Sequence, residues 1–181
     1  MFVAGQSGAA ETISFAVRLK LEIAVPAAAA AIASLRVAAA EKLAAVHGPG
    51  PWSGSVSEKG VLFAMRNSTV YVARRRGKPI ATLTLCTKKT WSIDKKYFSA
   101  CNRPLYLTAM AVAPELQCQG IGRLCIEAAK MIVKQWPADA IRLDAYDAAA
   151  GAGEFYRKCG FREVGRASYR GVPLIYFEIV V

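Results

Sequence analysis

The segment of this chain best suited to chemistry is Gln117-Cys118-Gln119-Gly120-Ile121-Gly122-Arg123. An apolar run, Leu105 to Ala113, leads into it and an amphipathic run follows it. Glycines at the mouth of a helix let main chain approach a ligand closely, and a helix's first N–H groups have no partner inside the helix. Together with the positive end of the helix dipole, such donors make a seat for phosphate. The spacing also suits a helix start that needs small residues only for packing. Two better-known phosphate loops do not fit. A P-loop requires Gly-Lys-Ser/Thr, which is missing here, and a dinucleotide fingerprint requires an earlier glycine and a small residue where Cys125 stands.

Other chemistries find little support. Gly5-Gln6-Ser7-Gly8 lacks the second glycine of a nucleophile elbow at the right offset. His47, the sole histidine, sits beside a Gly/Pro loop and reads as a surface residue rather than a triad base. With one histidine and five cysteines that form no Cys-x-x-Cys pair, a metal site is not expected. Cys118, inside the phosphate turn, reads as a spacer that presents its amide, although a helix N-terminus lowers a thiol's pKa.

A second group, Gly153-Glu154-Phe155-Tyr156-Arg157-Lys158-Cys159-Gly160-Phe161, makes the proposal specific. Taken with Met110-Ala111-Val112 and the Gln117 to Gly122 turn, it resembles the GNAT superfamily of acyl-CoA-dependent N-acyltransferases. The resemblance covers about residue 69 to residue 181, with an Ala-rich region in the place of the family's first helices. It implies an α/β (α+β) fold with a mixed, mostly antiparallel central sheet flanked by helices on both faces. It also implies acetyl-CoA as co-substrate. Main chain at Met110 and Val112, with Ala111 between them, would bind the pantetheine arm as an added strand does. The amides of Gln117, Cys118, Gln119, Gly120, Ile121, Gly122 and Arg123 would wrap the diphosphate. The Arg123 side chain would pair with a further phosphate, or else is a solvated helix residue.

By the same likeness Tyr156 lies near the cofactor sulfur, where a phenol can protonate or hydrogen-bond the departing thiolate. Its alternative is a core tyrosine with a local partner. The family often has an asparagine where Ala149 stands, so either Asp147 substitutes or that contact is absent. Several members carry a carboxylate on the central strand, and this chain does not. Asp144, on the next strand, is the first candidate for the general base, with a surface carboxylate paired to Arg142 or a lysine as the alternative. Tyr106, Trp91 and Tyr97 are candidates to line the acceptor pocket, or ordinary packing residues. The expected activity is acetyl transfer to a primary amine by direct attack. The alternative is a non-catalytic acyl-CoA-sensing or nucleic-acid-binding module, for which Arg74 to Arg76, Lys88-Lys89 and Lys95-Lys96 supply basic clusters.

The elements that must hold these residues follow from pattern. Ile13 to Ile23 alternates as a strand does. Ala27 to Val46 favours helix, read as two joined near Arg36, and His47-Gly48-Pro49-Gly50-Pro51 stops it. Thr69 to Ala73 and Pro79 to Leu85 form a hairpin around an Arg/Gly/Lys tip, and Thr87 to Arg103 is a long loop of the kind that borders sites. Leu105 to Ala113 is apolar on both parities, which predicts a central strand buried on both faces. Gly120 to Trp136 is a helix with Ile121, Leu124, Cys125, Ala128 and Ile132 on its apolar face. Ala140 to Tyr146 is a strand with Arg142, Asp144 and Tyr146 alternating against the apolar positions. A short helix from Ala150 to Lys158 ends at Gly160, and strands from Phe161 to Gly165 and Leu174 to Val181 complete a mixed sheet with helices on both faces.

Composition sets the outer bounds. With 181 residues, 54% of them hydrophobic and 20% charged, the chain can build a real core and is not a disordered one. Residues 1–10 read as a loose tail and 11–181 as one domain. The net charge of +11 suits a polyanionic cofactor and argues against a strongly cationic acceptor. Small amines, amino acids and peptide amino termini fit better. Nucleic acid is the lesser reading, and a homodimer is left open. The Ala-rich run, broken by Pro26, is too short for a membrane span, and the amino terminus lacks a signal-peptide layout, so a cytoplasmic protein with reduced thiols is expected.

Overall fold

The computed structural model describes residues 19–54 and 56–181. Its strands are β1 (Leu21–Ile23), β2 (Thr69–Arg75), β3 (Lys78–Cys86), β4 (Pro104–Val112), β5 (Ala140–Tyr146), β6 (Arg162–Tyr169) and β7 (Val172–Val180). Its helices are α1 (Ala29–His47), α2 (Glu58–Asn67), α3 (Ile121–Gln135) and α4 (Gly153–Lys158), with short 3-10 turns between elements. The seven strands form one sheet in the order β1-β2-β3-β4-β5-β7-β6. All neighbours are antiparallel except β4 and β5, whose parallel pairing needs the α3 crossover between them. The expected mixed, mostly antiparallel sheet with helices on both faces is observed.

Each face of the sheet has its own cover. Tyr71, Leu83, Leu85, Leu105, Leu107, Ile141, Leu143 and Phe177 pack with Cys125, Ile126, Ala129 and Val133 of α3 and with Tyr156 of α4. Val70 and Val72 face the other way, against Ala29, Ile32 and Ala33 of α1 and Val61 of α2. Farther along that second face, Tyr106 and Tyr176 pack with Ile93 and Phe98 of the β3–β4 connection. Full burial of one such large side chain contributes about 1.5–3 kcal/mol.

Several sequence expectations change. The expected strand from Ile13 begins outside the described residues; among those described, Leu21–Ile23 pairs with β2. The Ala-rich stretch is one unbroken helix rather than two joined near Arg36, because alanine runs through it and no breaker intervenes before Gly48 at φ 78°. Glu58–Asn67 was not foreseen; it is started by Ser57, whose hydroxyl accepts from the Gly60 N–H at 3.2 Å. The buried stripe of α3 runs through Ile121, Cys125, Ile126, Ala129 and Val133, so Leu124, Ala128 and Ile132 lie at its edge. The last helix begins at Gly153, since the chain turns sharply at Gly151, where a side chain would run into the Tyr146 carbonyl.

Arg142 is not an outward polar residue of β5. It is 4% exposed and donates to Glu178 on β7 at 2.9 Å and to the Ser99 carbonyl of the long loop. Arg162 reaches the same carboxylate at 3.3 Å, and the Ser99 N–H donates to it at 3.3 Å. Burial alone would push the Glu178 carboxyl up. The Ser99 and Arg142 hydrogen bonds and the guanidinium charge outweigh that and hold it below its ordinary range. This network clamps the β3–β4 loop onto the β5–β7–β6 half of the sheet.

Candidate active site

β4 is buried on both faces only over Leu105–Leu107; from Thr108 to Val112 it opens, with Ala109 exposed. The cause lies in its pairing. β5 follows β4 only from Pro104 to Tyr106, after which the two parallel strands part. On the other side the register with β3 shifts between Thr82 and Thr84, so that a bulge falls at Ala109, whose φ is 50°. The Ala113 N–H points to Ile80 on β3 at 2.8 Å. Alternation therefore directs the main-chain groups of Val112 and Met110 away from β3, into the gap where β5 has departed. The Val112 carbonyl there accepts from the Gln117 side chain at 3.1 Å. This is an unpaired strand edge in the middle of a sheet.

The turn after β4 points its donors outward. Cys118 has φ 60° and Gly120 φ 81°, and Cys118, Gln119 and Gly120 are all exposed. The first helical bond of α3 runs from the Leu124 N–H to the Gly120 carbonyl at 3.1 Å, so the N–H groups of Ile121, Gly122 and Arg123 precede the ladder. Successive left-handed and helical residues make an anion-binding concavity. The two glycines serve different ends. A side chain at Gly120 would meet nothing within 4 Å, so that glycine is there for its positive φ. At Gly122 a Cβ would come within 3.1 Å of the Phe155 ring and 3.6 Å of the Met110 methyl, so that glycine lets α3, α4 and β4 converge. Among the described residues, four non-glycine residues have positive φ: Arg76 and Arg170 at hairpin tips, and Ala109 and Cys118 here. Such backbone costs about 1–3 kcal/mol per residue, and its placement at a gap and an anion seat marks a site.

Tyr156 is 7% exposed and packs edge-on against Phe155 and Phe161, with ring centroids 5.1 and 5.6 Å apart. Burial raises its phenol well above the ordinary tyrosine range, and the Asp144 charge adds to that. It is therefore a proton holder at any working pH. Asp144 makes no salt bridge among the described residues, because Arg142, its expected partner, belongs to Glu178. It accepts instead from Thr90 at 3.5 Å and from Ser92. Burial pushes its carboxyl up, and those hydroxyls offset only part of the rise. Burial raises the Tyr146 and Tyr176 phenols, and the Asp144 charge adds to the rise in each.

The other candidates divide. Arg123 is exposed at the seat. Asp147 is paired with Arg166 at 2.7 Å. Tyr106, 1% exposed, is core packing and not a pocket wall. Tyr97 packs at a tilt against Tyr176, with ring centroids 5.3 Å apart, and Trp91 is 88% exposed. Burial pushes the Cys125 thiol up to about 12, which removes it as a nucleophile. Sequence reasoning passed over Thr90 and Ser92, the hydroxyl partners of Asp144. It also passed over Trp52, which meets the Tyr146 ring at 5.8 Å and so brings the α1–α2 connection to the end of β5. No local pattern marks these residues; only the fold brings Thr90 and Ser92 to Asp144 and Trp52 to Tyr146.

The sheet thus opens between two parallel strands, with outward main-chain donors at the head of the crossover helix. Residues 66–163 match the family model described as an acetyltransferase (GNAT) domain, and the chain belongs to that family. Among solved structures, a GNAT-family acetyltransferase from Streptococcus agalactiae is similar at TM-score 0.73 with 12% identity, covering 90% of this chain and 95% of that one. One from Listeria monocytogenes 4b gives 0.70 with 17% identity, over 89% and 95%. The ribosomal-protein-S18-alanine N-acetyltransferase from Escherichia coli gives 0.64 with 16% identity, over 90% and 93%. No curated protein sequence matches the chain. These structural likenesses speak to the fold.

Proposed function

We propose that this protein is an N-acetyltransferase that moves an acetyl group from acetyl-CoA to a primary amine, and that residues 11–181 act as one catalytic unit. The observation that carries the reading is the pairing of outward main-chain donors at Gln117–Arg123 with the unpaired edge of β4 at Met110–Val112. A thioester laid along that edge places its diphosphate on the seat and its pantetheine arm beside Met110, Ala111 and Val112.

The amine nitrogen attacks the thioester carbonyl, its C–N bond forms, and charge builds on the carbonyl oxygen. The Val112 N–H, free on the gap side, stabilises that charge. Asp144 accepts the proton leaving the amine, directly or through water, and its raised pKa makes it a better base than an ordinary surface carboxylate. The C–S bond then breaks. Tyr156 donates a hydrogen bond to the departing sulfur; a phenol raised by burial gives up its proton reluctantly, so stabilising the thiolate outweighs full proton transfer. Holding both reactants in line supplies much of the acceleration, with ~7–11 kcal/mol available from orientation.

A cytoplasmic setting belongs to the same reading. Among the described residues no helix is long and apolar enough to cross a membrane. The test is thiol release from acetyl-CoA in the presence of an amine panel, wild type against Tyr156→Phe. Thioester binding without amine-dependent thiol release from the wild type would instead favour an acyl-CoA sensor.

A further inference from the structure

The α1 side of the opened sheet carries a cation without a counter-charge. Arg36, at the middle of α1, donates to the Thr82 hydroxyl at 3.3 Å and to the Thr84 hydroxyl at 3.2 Å, both on β3. Its Nε is buried and has no partner. No salt bridge reaches it among the described residues, and burial alone lowers its pKa, with no nearby carboxylate opposing that. The Thr82 hydroxyl gives its own proton to the Tyr71 carbonyl at 2.9 Å, so its oxygen lone pairs face the guanidinium. The contrast within the molecule is direct. Arg142, which is buried, has Glu178 and a carbonyl to satisfy it. An unpaired desolvated charge is expensive, and a fold keeps one where a ligand supplies the missing anion.

Its position says which ligand. Thr84 pairs with Thr108 and Thr82 with Ala111, so the two hydroxyls holding Arg36 flank the β4 bulge from the next strand, about 4.8 Å away. Lys42, farther along α1, fixes the helix over the end of β4 by donating to the Pro114 carbonyl at 2.7 Å. The alternation that puts Thr84 on the α1 face puts Tyr106 and Asp144 on that face too. The candidate base and the bare cation thus share the side of the sheet opposite α3, the side left for an amine.

We propose that Arg36 binds the carboxylate of the acceptor, so that the substrate class is a free amino acid rather than a simple amine or a peptide amino terminus. Both threonine bonds come from Nη2, so the guanidinium keeps N–H donors on Nη1 and Nε for a carboxylate's oxygens. This inference rests on the transfer reading and narrows it.

The experiment measures kcat/KM for matched acceptors, each amino acid against its carboxamide and its decarboxylated amine, in wild type, Arg36→Met and Arg36→Lys. Wild type is expected to favour the acid about tenfold to a hundredfold over its carboxamide. Arg36→Met should bring that ratio to near unity while the Kd for acetyl-CoA stays unchanged, and Arg36→Lys should keep part of the preference. A wild-type ratio near one would overturn the proposal without any variant being needed, as would a ratio retained in Arg36→Met. Turnover of amines without acid preference would sink the Arg36 assignment and leave the transfer reading standing. Absence of turnover with every acceptor would remove both.

Discussion

Gly120 lets the backbone cost of a substitution be separated from its charge. Its φ of 81° is left-handed, and a side chain there meets no atom within 4 Å. Gly120→Ala therefore adds no clash and costs about 1–2 kcal/mol of backbone strain. Gly120→Asp pays less strain, since aspartate tolerates left-handed backbone, but it sets a negative charge on the anion seat. At ~6 Å, with an effective dielectric between ~20 and ~80, each phosphate charge is opposed by about 0.7 to 2.8 kcal/mol. Two such charges weaken binding by at least about tenfold. Calorimetric titration of both variants with coenzyme A, at low and high salt, reads this out. Gly120→Asp should bind at least about tenfold more weakly than Gly120→Ala while being at least as stable to heat, and the gap should narrow as salt screens the charge. Equal affinities at low salt would show that the diphosphate does not lie there.

Tyr156→Phe keeps the ring contacts with Phe155, Phe161 and Phe177, so the melting temperature should hold while kcat falls about a hundredfold or more with KM for acetyl-CoA unchanged; a kcat within twofold of wild type would remove the phenol from the mechanism. Asp144→Asn should lower kcat/KM about a hundredfold and abolish the acid limb of the pH–rate profile. Because burial raises the folded pKa of Asp144, the native state holds its proton longer, and stability is lost as pH rises from the unfolded toward the folded pKa. The asparagine variant should therefore be no less stable than wild type at neutral pH by thermal melting, and a clear loss would mark Asp144 as structural. Glu178→Gln leaves Arg142 buried without its anion and should cost about 3–5 kcal/mol, seen as a melting-temperature fall of roughly 6–20 °C. Glu178 is held below its ordinary range, so its contribution is full above the unfolded pKa and is lost as pH falls through the folded one. The variant should show a flatter loss of stability with acid, and an unchanged acid limb would contradict the clamp.

The legible parts of this chain are those whose pattern is local. Ala140–Tyr146 was read to the residue because its strand alternates between stops, and α3 because its apolar spacing and its terminating proline agree. The Gln117 to Gly122 turn was legible as a shape, though only the structure separates Gly120, kept for its φ, from Gly122, kept for the room it leaves Phe155. What stayed hidden depends on partners distant in sequence. An apolar strand such as β4 carries no sign that its second half will lose its neighbour. Arg142 alternates like a surface residue until Glu178 arrives from β7. Arg36, in a long alanine helix, is indistinguishable in sequence from a solvated arginine. The Glu58–Asn67 helix was missed because Gly60 and the glycine-rich approach to it weaken every local signal except the Ser57 cap.

The central claim is that the main chain from Gln117 to Arg123 holds the diphosphate of a coenzyme A thioester. A crystal structure of the protein with coenzyme A tests it most directly. The account predicts diphosphate oxygens within hydrogen-bond distance of the Ile121, Gly122 and Arg123 N–H groups, with the pantetheine arm running along Met110–Val112. Well-ordered coenzyme A bound elsewhere on the molecule, with that turn untouched, would contradict it.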